Sequence, residues 1–195
     1  MIDPYQKCPV YQNEHYLLRL VEASDASDLL LVYSDEKAVS YFNSDNCNGD
    51  DFHYTSLERM QKAIAYWQWE YNRGGFVRWS IIDQHIPQAV GTIELFHRLS
   101  EDYFNRCGLL RLDLRSDYEQ EKNIFEILSL ITPSTFELFG CRMIATKVPP
   151  FAVERESATA RLGFIRSEEK LIGGHDQKAY GNYCVLQQHP SLSNL

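Results

Sequence analysis

Residues 108–128 read GLLRLDLRSDYEQEKNIFEIL, and the fold turns on how that stretch divides. Leu110, Leu112 and Leu114 alternate with other residues, as in a strand with one face buried. Ile124, Ile127, Leu128 and Ile131 then repeat at helical spacing. Only the short polar turn at 115–120 separates the two patterns, so a strand runs into a helix. Such a junction presents unpaired backbone N–H groups at the positive end of a helix dipole, a seat suited to a pyrophosphate.

Working outward, 76–83 (FVRWSIID) and 89–97 (AVGTIELFH) alternate on either side of a turn at 84–88, which predicts an antiparallel hairpin. Beyond the junction, Pro133 should interrupt the helix near Ile131, with Gly140 closing its second half. A strand at 141–148 ends at Pro149-Pro150, a short helix at 153–161 stops at Gly163, and two strands at 164–172 and 178–187 flank a Gly173-Gly174-His175-Asp176 turn. Toward the N-terminus, 16–21 reads as a strand, and Ser24 and Asp25 supply caps for a helix carrying Leu29, Leu30, Val32 and Tyr33. A short helix follows at 35–41, and 43–51 (NSDNCNGDD) is a solvated loop, its glycine and acids off the offsets a calcium loop requires. Leu57, Met60, Ile64 and Trp67 mark an amphipathic helix over 55–73, capped by Thr55 or Ser56 and stopped at Gly74-Gly75. Its aromatic stripe reads as core, with Tyr66 and Trp69 the members able to face a pocket.

The expected architecture is one α/β domain over 1–195, a mostly antiparallel mixed sheet with helices on both faces, after an irregular lead-in at 1–14. A net charge of -8 argues against nucleic acid and anionic membranes as partners, because both need a positive field. The five cysteines are scattered without a CxxC pair, so no metal cluster or disulfide framework is indicated. The N-terminus lacks an apolar signal core, and no run approaches the roughly 18 apolar residues of a membrane span, which predicts a cytoplasmic protein.

With YLLRLVEASDASDLLLVYSD near the start, AVGTIELF in the middle, the junction RLDLRSDYEQEKNIFEIL, and RESATARLGF before the last strands, the chain resembles the GNAT superfamily of acyl-CoA-dependent N-acetyltransferases. It is most similar in pattern to the branch that acetylates the N-terminal amine of ribosomal proteins. The resemblance implies acetyl-CoA as co-substrate, a primary amine of a small molecule or protein N-terminus as acceptor, and a homodimer as the family-level expectation. It places Leu112, Asp113 and Leu114 along the pantetheine arm, and Gln120, Lys122, Asn123 and Ile124 around the pyrophosphate. Two departures stand out. Gln120 and Lys122 occupy the family's glycine positions, and Ala152 and Thr159 fall where it often has an asparagine and a tyrosine acid.

Direct acetyl transfer needs a neutral amine, a donor for the developing oxyanion and a route for the proton. No GxSxG elbow is present, consistent with direct transfer. Glu94, in AVGTIELF, is the candidate base, with Asp113 next. Lys122, Arg115 and Lys147 are the candidate phosphate cations, His97 and His175 read as surface residues, and the acidic 43–51 loop would favour a cationic amine. The missing glycines and tyrosine admit a second class of function: a catalytically silent GNAT-like domain acting as an acyl-CoA sensor or interaction module.

Overall fold

The computed structural model describes residues 3–188; the outermost residues of the expected lead-in and C-terminus lie outside them. In chain order the elements are β1 (Tyr11–Gln12), β2 (Tyr16–Leu20), α1 (Ala26–Tyr33), α2 (Glu36–Val39), α3 (Leu57–Asn72), β3 (Val77–Asp83), β4 (Gln88–Arg98) and β5 (Cys107–Leu114). There follow α4 (Glu121–Leu138), β6 (Met143–Lys147), α5 (Val153–Arg161), β7 (Ile165–Arg166), β8 (Leu171–Ile172), β9 (Ala179–Tyr180) and β10 (Tyr183–Gln187). An eight-stranded sheet runs β1-β2-β3-β4-β5-β6-β10-β7 and is antiparallel throughout except where β5 pairs with β6. Among the described residues no helix is long and apolar enough to cross a membrane.

The strand alternation sorts the sheet into two unlike faces. Trp79, Ile93, Leu95, Leu110, Leu112, Leu114 and Ile144 lie in one core with Ile124, Ile127, Leu128 and Ile131 of α4. The opposite face of the central strands carries Arg78, Ser80, Thr92, Glu94, Arg111 and Asp113, all buried. A second core, holding Leu29, Val32 and Tyr33 of α1 with Met60, Ile64 and Trp67 of α3, stands over that polar face. The strands fit closely: a Cβ at Gly91 of β4 would meet the Asp113 carbonyl of β5 at 2.4 Å.

Several expectations are corrected. Pro133 does not split α4, which runs from Glu121 to Leu138 with the proline inside it. Asp25 precedes α1 without a side-chain capping bond; its carboxylate accepts two hydrogen bonds from Arg19 and one each from Ser80 Oγ and the Glu22 N–H. The two long closing strands are instead four short ones, β7 to β10, and Asn182, with a positive φ of 66°, marks the break between β9 and β10. Ser56 does cap α3, accepting from the Arg59 N–H at 3.2 Å.

The pairing that positions the site is β5 with β6. It covers Cys107 to Leu110 against Met143 to Thr146 and then stops, although β5 continues to Leu114. The sheet therefore parts at its centre, just before the strand-to-helix junction.

Candidate functional site

At the junction, a 3-10 turn at Ser116–Tyr118 joins β5 to α4. Between 115 and 124 no residue adopts a positive φ, so the backbone forms no glycine-type loop. Gln120 is the N-cap of α4 in extended conformation, and its amide donates back to the Asp117 carbonyl at 3.0 Å. The first N–H of α4, that of Glu121, donates at 2.7 Å to the Glu154 carboxylate of α5. A negative side chain of the same chain thus takes the helix-end position where a phosphate oxygen would be held.

Behind it lies a buried ion pair. Arg155 of α5 donates Nε–H to Glu119 Oε2 at 2.8 Å, bonds Glu119 Oε1 through Nη2, and donates to the Tyr41 carbonyl at 3.1 Å. Both side chains are 4% exposed. Burial alone would lower the Arg155 pKa, but the Glu119 carboxylate outweighs it and holds the guanidinium charged. Arg115 pairs with Asp117 and Arg161 with Glu121, each at 2.7 Å, while Lys122 is exposed and has no ion-pair partner among the described residues. The three arginines at the junction are therefore each paired with an acid of this chain, and Lys122 is left as the unpaired cation there among the described residues. Glu154 stands where an acyl-CoA pyrophosphate would meet the first N–H of α4.

The remaining sequence candidates are dispersed. Leu112, Leu114 and Ile124 point into the apolar core. Asn123 is partly buried in the first turn of α4. Asp113 lies on the other face, where Tyr33 donates to its Oδ2 at 2.9 Å and Arg78 approaches at 3.3 Å; burial pushes its carboxyl up, and its Oδ1 has no partner.

Glu94 does line a cavity, as a shared anion rather than a free one. Arg78, Glu94 and Arg111 are direct cross-strand neighbours on β3, β4 and β5, with Ser80, Thr92 and Asp113 in the adjacent row. Glu94 accepts from Arg78 Nη2 and from Arg111 Nη1, the latter at 2.6 Å. Burial would raise its pKa, but the two guanidiniums outweigh that and hold it below the ordinary carboxylate range. A fully buried carboxylate so held is a weak proton acceptor.

Two cavities open on the polar face and share Asn46, Phe96 and Arg111. One, of about 440 Å³, has aromatic walls including Phe52, Tyr54, Tyr66 and Trp67. Tyr66 is half exposed and stacks on Trp69, whereas Trp67 is buried with the Arg78 guanidinium 4.1 Å from its ring centre. Of the loop acids expected to attract a cation, Asp50 pairs with Arg59 and Asp45 with Lys147, and Glu70 of α3 pairs with Arg73. His175 lines the same cavity, and its N–H donates to Asn46 Oδ1 at 2.8 Å.

The second cavity, about 580 Å³, is walled by Arg98 and Asp102. His97 also lines it, with Nδ1 2.6 Å from the Phe139 carbonyl oxygen. Burial would raise the Asp102 carboxyl, but hydrogen bonds from Arg98, the Ile172 N–H and Ser100 outweigh it and hold the group at about 2. A depressed carboxylate contributes stability above its unfolded pKa of about 3.9 that is lost as pH falls through the folded value. Asp102→Asn should therefore lower the urea midpoint at neutral pH, with the gap from wild type closing between about pH 4 and about pH 2. A gap that stays constant through that window would refute the assignment.

No family model and no curated protein matches the sequence. Solved structures do. The chain has the GNAT acetyltransferase fold. Ribosomal-protein-S5-alanine acetyltransferase from Vibrio fischeri aligns with a TM-score of 0.66 at 15% identity, over 91% of this chain and 94% of that one. Mycobacterium smegmatis RimJ, solved with a CoA-disulfide, aligns with a TM-score of 0.70 at 14% identity, over 95% and 90%. A GNAT-family acetyltransferase from Bacillus anthracis gives 0.65 at 14%, over 92% and 98%.

The charged row and the closed junction are what the sequence reading missed. Arg78, Glu94 and Arg111 each sit at a polar position of an alternating strand, which reads as solvent-facing. Three charges of alternating sign in register across consecutive strands were the available signal.

Proposed function

We propose that this chain is a ligand-binding domain on the GNAT scaffold, working on the acceptor side of the sheet without acyl-CoA-dependent transfer. The observation that carries this reading is the closure of the junction by Glu154 and by the Glu119–Arg155 pair. The cavities on the polar face stay open meanwhile. Two further features support it: the glycine positions hold Gln120 and Lys122, and the candidate base Glu94 is locked between two arginines.

A second reading, N-acetyl transfer to a primary amine of a small molecule or protein N-terminus, is favoured by the parting of β5 and β6 after Leu110. The acetyltransferase neighbours support it as well. It would use Leu112 to Leu114 and the Gln120 to Ile124 turn for acetyl-CoA, and it requires α5 to move. Calorimetric titration with acetyl-CoA separates the two. The expected result is no binding at millimolar cofactor and no turnover over an amine panel. Micromolar binding with turnover would overturn the binding-domain reading.

A further inference from the structure

Arg111 is the residue on which the two polar-face cavities meet. Its side chain is 10% exposed; Nη1 donates to Glu94 and Nη2 to the Asp45 carbonyl at 3.0 Å, while Nε, buried as well, has no acceptor. An arginine nine-tenths buried that lines two cavities and leaves one donor without an acceptor is an incomplete hydrogen-bonding group.

Charge points the same way. Two guanidiniums, Arg78 and Arg111, share the single Glu94 carboxylate. The next acid on this face of the sheet, Asp113, contacts Arg78 and not Arg111. Arg111 thus has one carboxylate partner in the row, and shares it with Arg78. Around the rim of the aromatic cavity, Asp50 and Glu70 are each paired with an arginine. Beside Arg111, the walls of one cavity are aromatic, suited to a flat apolar group.

Resting on the reading of this face as a ligand site, we propose that the joined cavities bind a carboxylate attached to a flat aromatic body. The carboxylate pairs with the Arg111 guanidinium and the ring lies against the aromatic walls. The recognition is charge-assisted and takes place in a low-dielectric floor, where an arginine fork favours a planar anion over a neutral isostere.

Indole-3-acetate, indole-3-acetamide and tryptamine share one ring and differ in the charge of the tail, so they are suitable probes for calorimetry on the full chain. The acid is expected to bind at least tenfold more tightly than the amide or the amine. Arg111→Lys, which keeps the charge but loses the fork, should weaken the acid severalfold. Because Arg111 is buried and its replacement can disturb folding, Tyr66→Ala at the half-exposed wall provides the independent variant and should weaken all three probes. Tighter binding of tryptamine, no binding of any probe at millimolar concentration, or unchanged acid affinity in Tyr66→Ala would each overturn the proposal. Turnover of acetyl-CoA would overturn the binding-domain reading while leaving the acid-over-amine ranking as a separate result.

Discussion

Arg78→Met is expected to destabilise the protein by about 3–5 kcal/mol, the range for removing one partner of a buried ion pair. Arg78 is 1% exposed and lies at the centre of the polar row, bonding Glu94, Thr92, the Tyr33 hydroxyl and Asp113. Methionine fills similar volume and preserves packing against Trp67, so the loss is mainly electrostatic. Glu94 would keep only Arg111, and Asp113 would keep no cation. For a chain of this length the change corresponds to a fall in Tm of roughly 10 °C, measurable by tryptophan fluorescence during urea or thermal unfolding. Adding Asp113→Asn to the variant removes one stranded acid and should recover part of the loss, a non-additivity expected of residues in one network. A loss under about 1 kcal/mol would show that the row is not the electrostatic keystone of this face.

The second large effect is expected at the junction. Arg155→Leu leaves Glu119 buried beneath α5 without its cation and should cost about 3 kcal/mol or more. Replacing both residues with leucine should cost less than Arg155→Leu alone, because the isolated buried charge is then gone. Urea midpoints of the two variants decide the matter: equal losses would mean that Arg155 acts by packing alone. Acetyl-CoA titrated into the double variant gives a further readout, since affinity gained there would identify the pair as the barrier to cofactor entry.

How much of this was legible depended on sequence separation. The strand Cys107–Leu114 and the helix after it follow from local alternation and periodicity, and α3 follows from Ser56, its apolar stripe and Gly74. The closure of the junction joins residues 36 and 33 positions apart through side chains that sequence patterning assigns to solvent. The absent glycines pointed toward an altered junction, but not to what stands in their place. Burial of the polar row escaped reading for a related reason. Alternation reports which face a residue is on, and only the placement of α1 and α3 over that face makes it interior.

Glu154 also bears on the order in which the molecule assembles. Gln120 supplies no side-chain cap, so the leading turn of α4 is completed from α5, after β6 has been laid down between them. Nascent helix in this segment accordingly begins as a frayed end, and its nucleation must draw on residues deeper in the helix, around Ile124 to Ile131. The amino end of α4 is therefore expected to close late in folding, and Glu154→Gln should change the unfolding rate more than the folding rate.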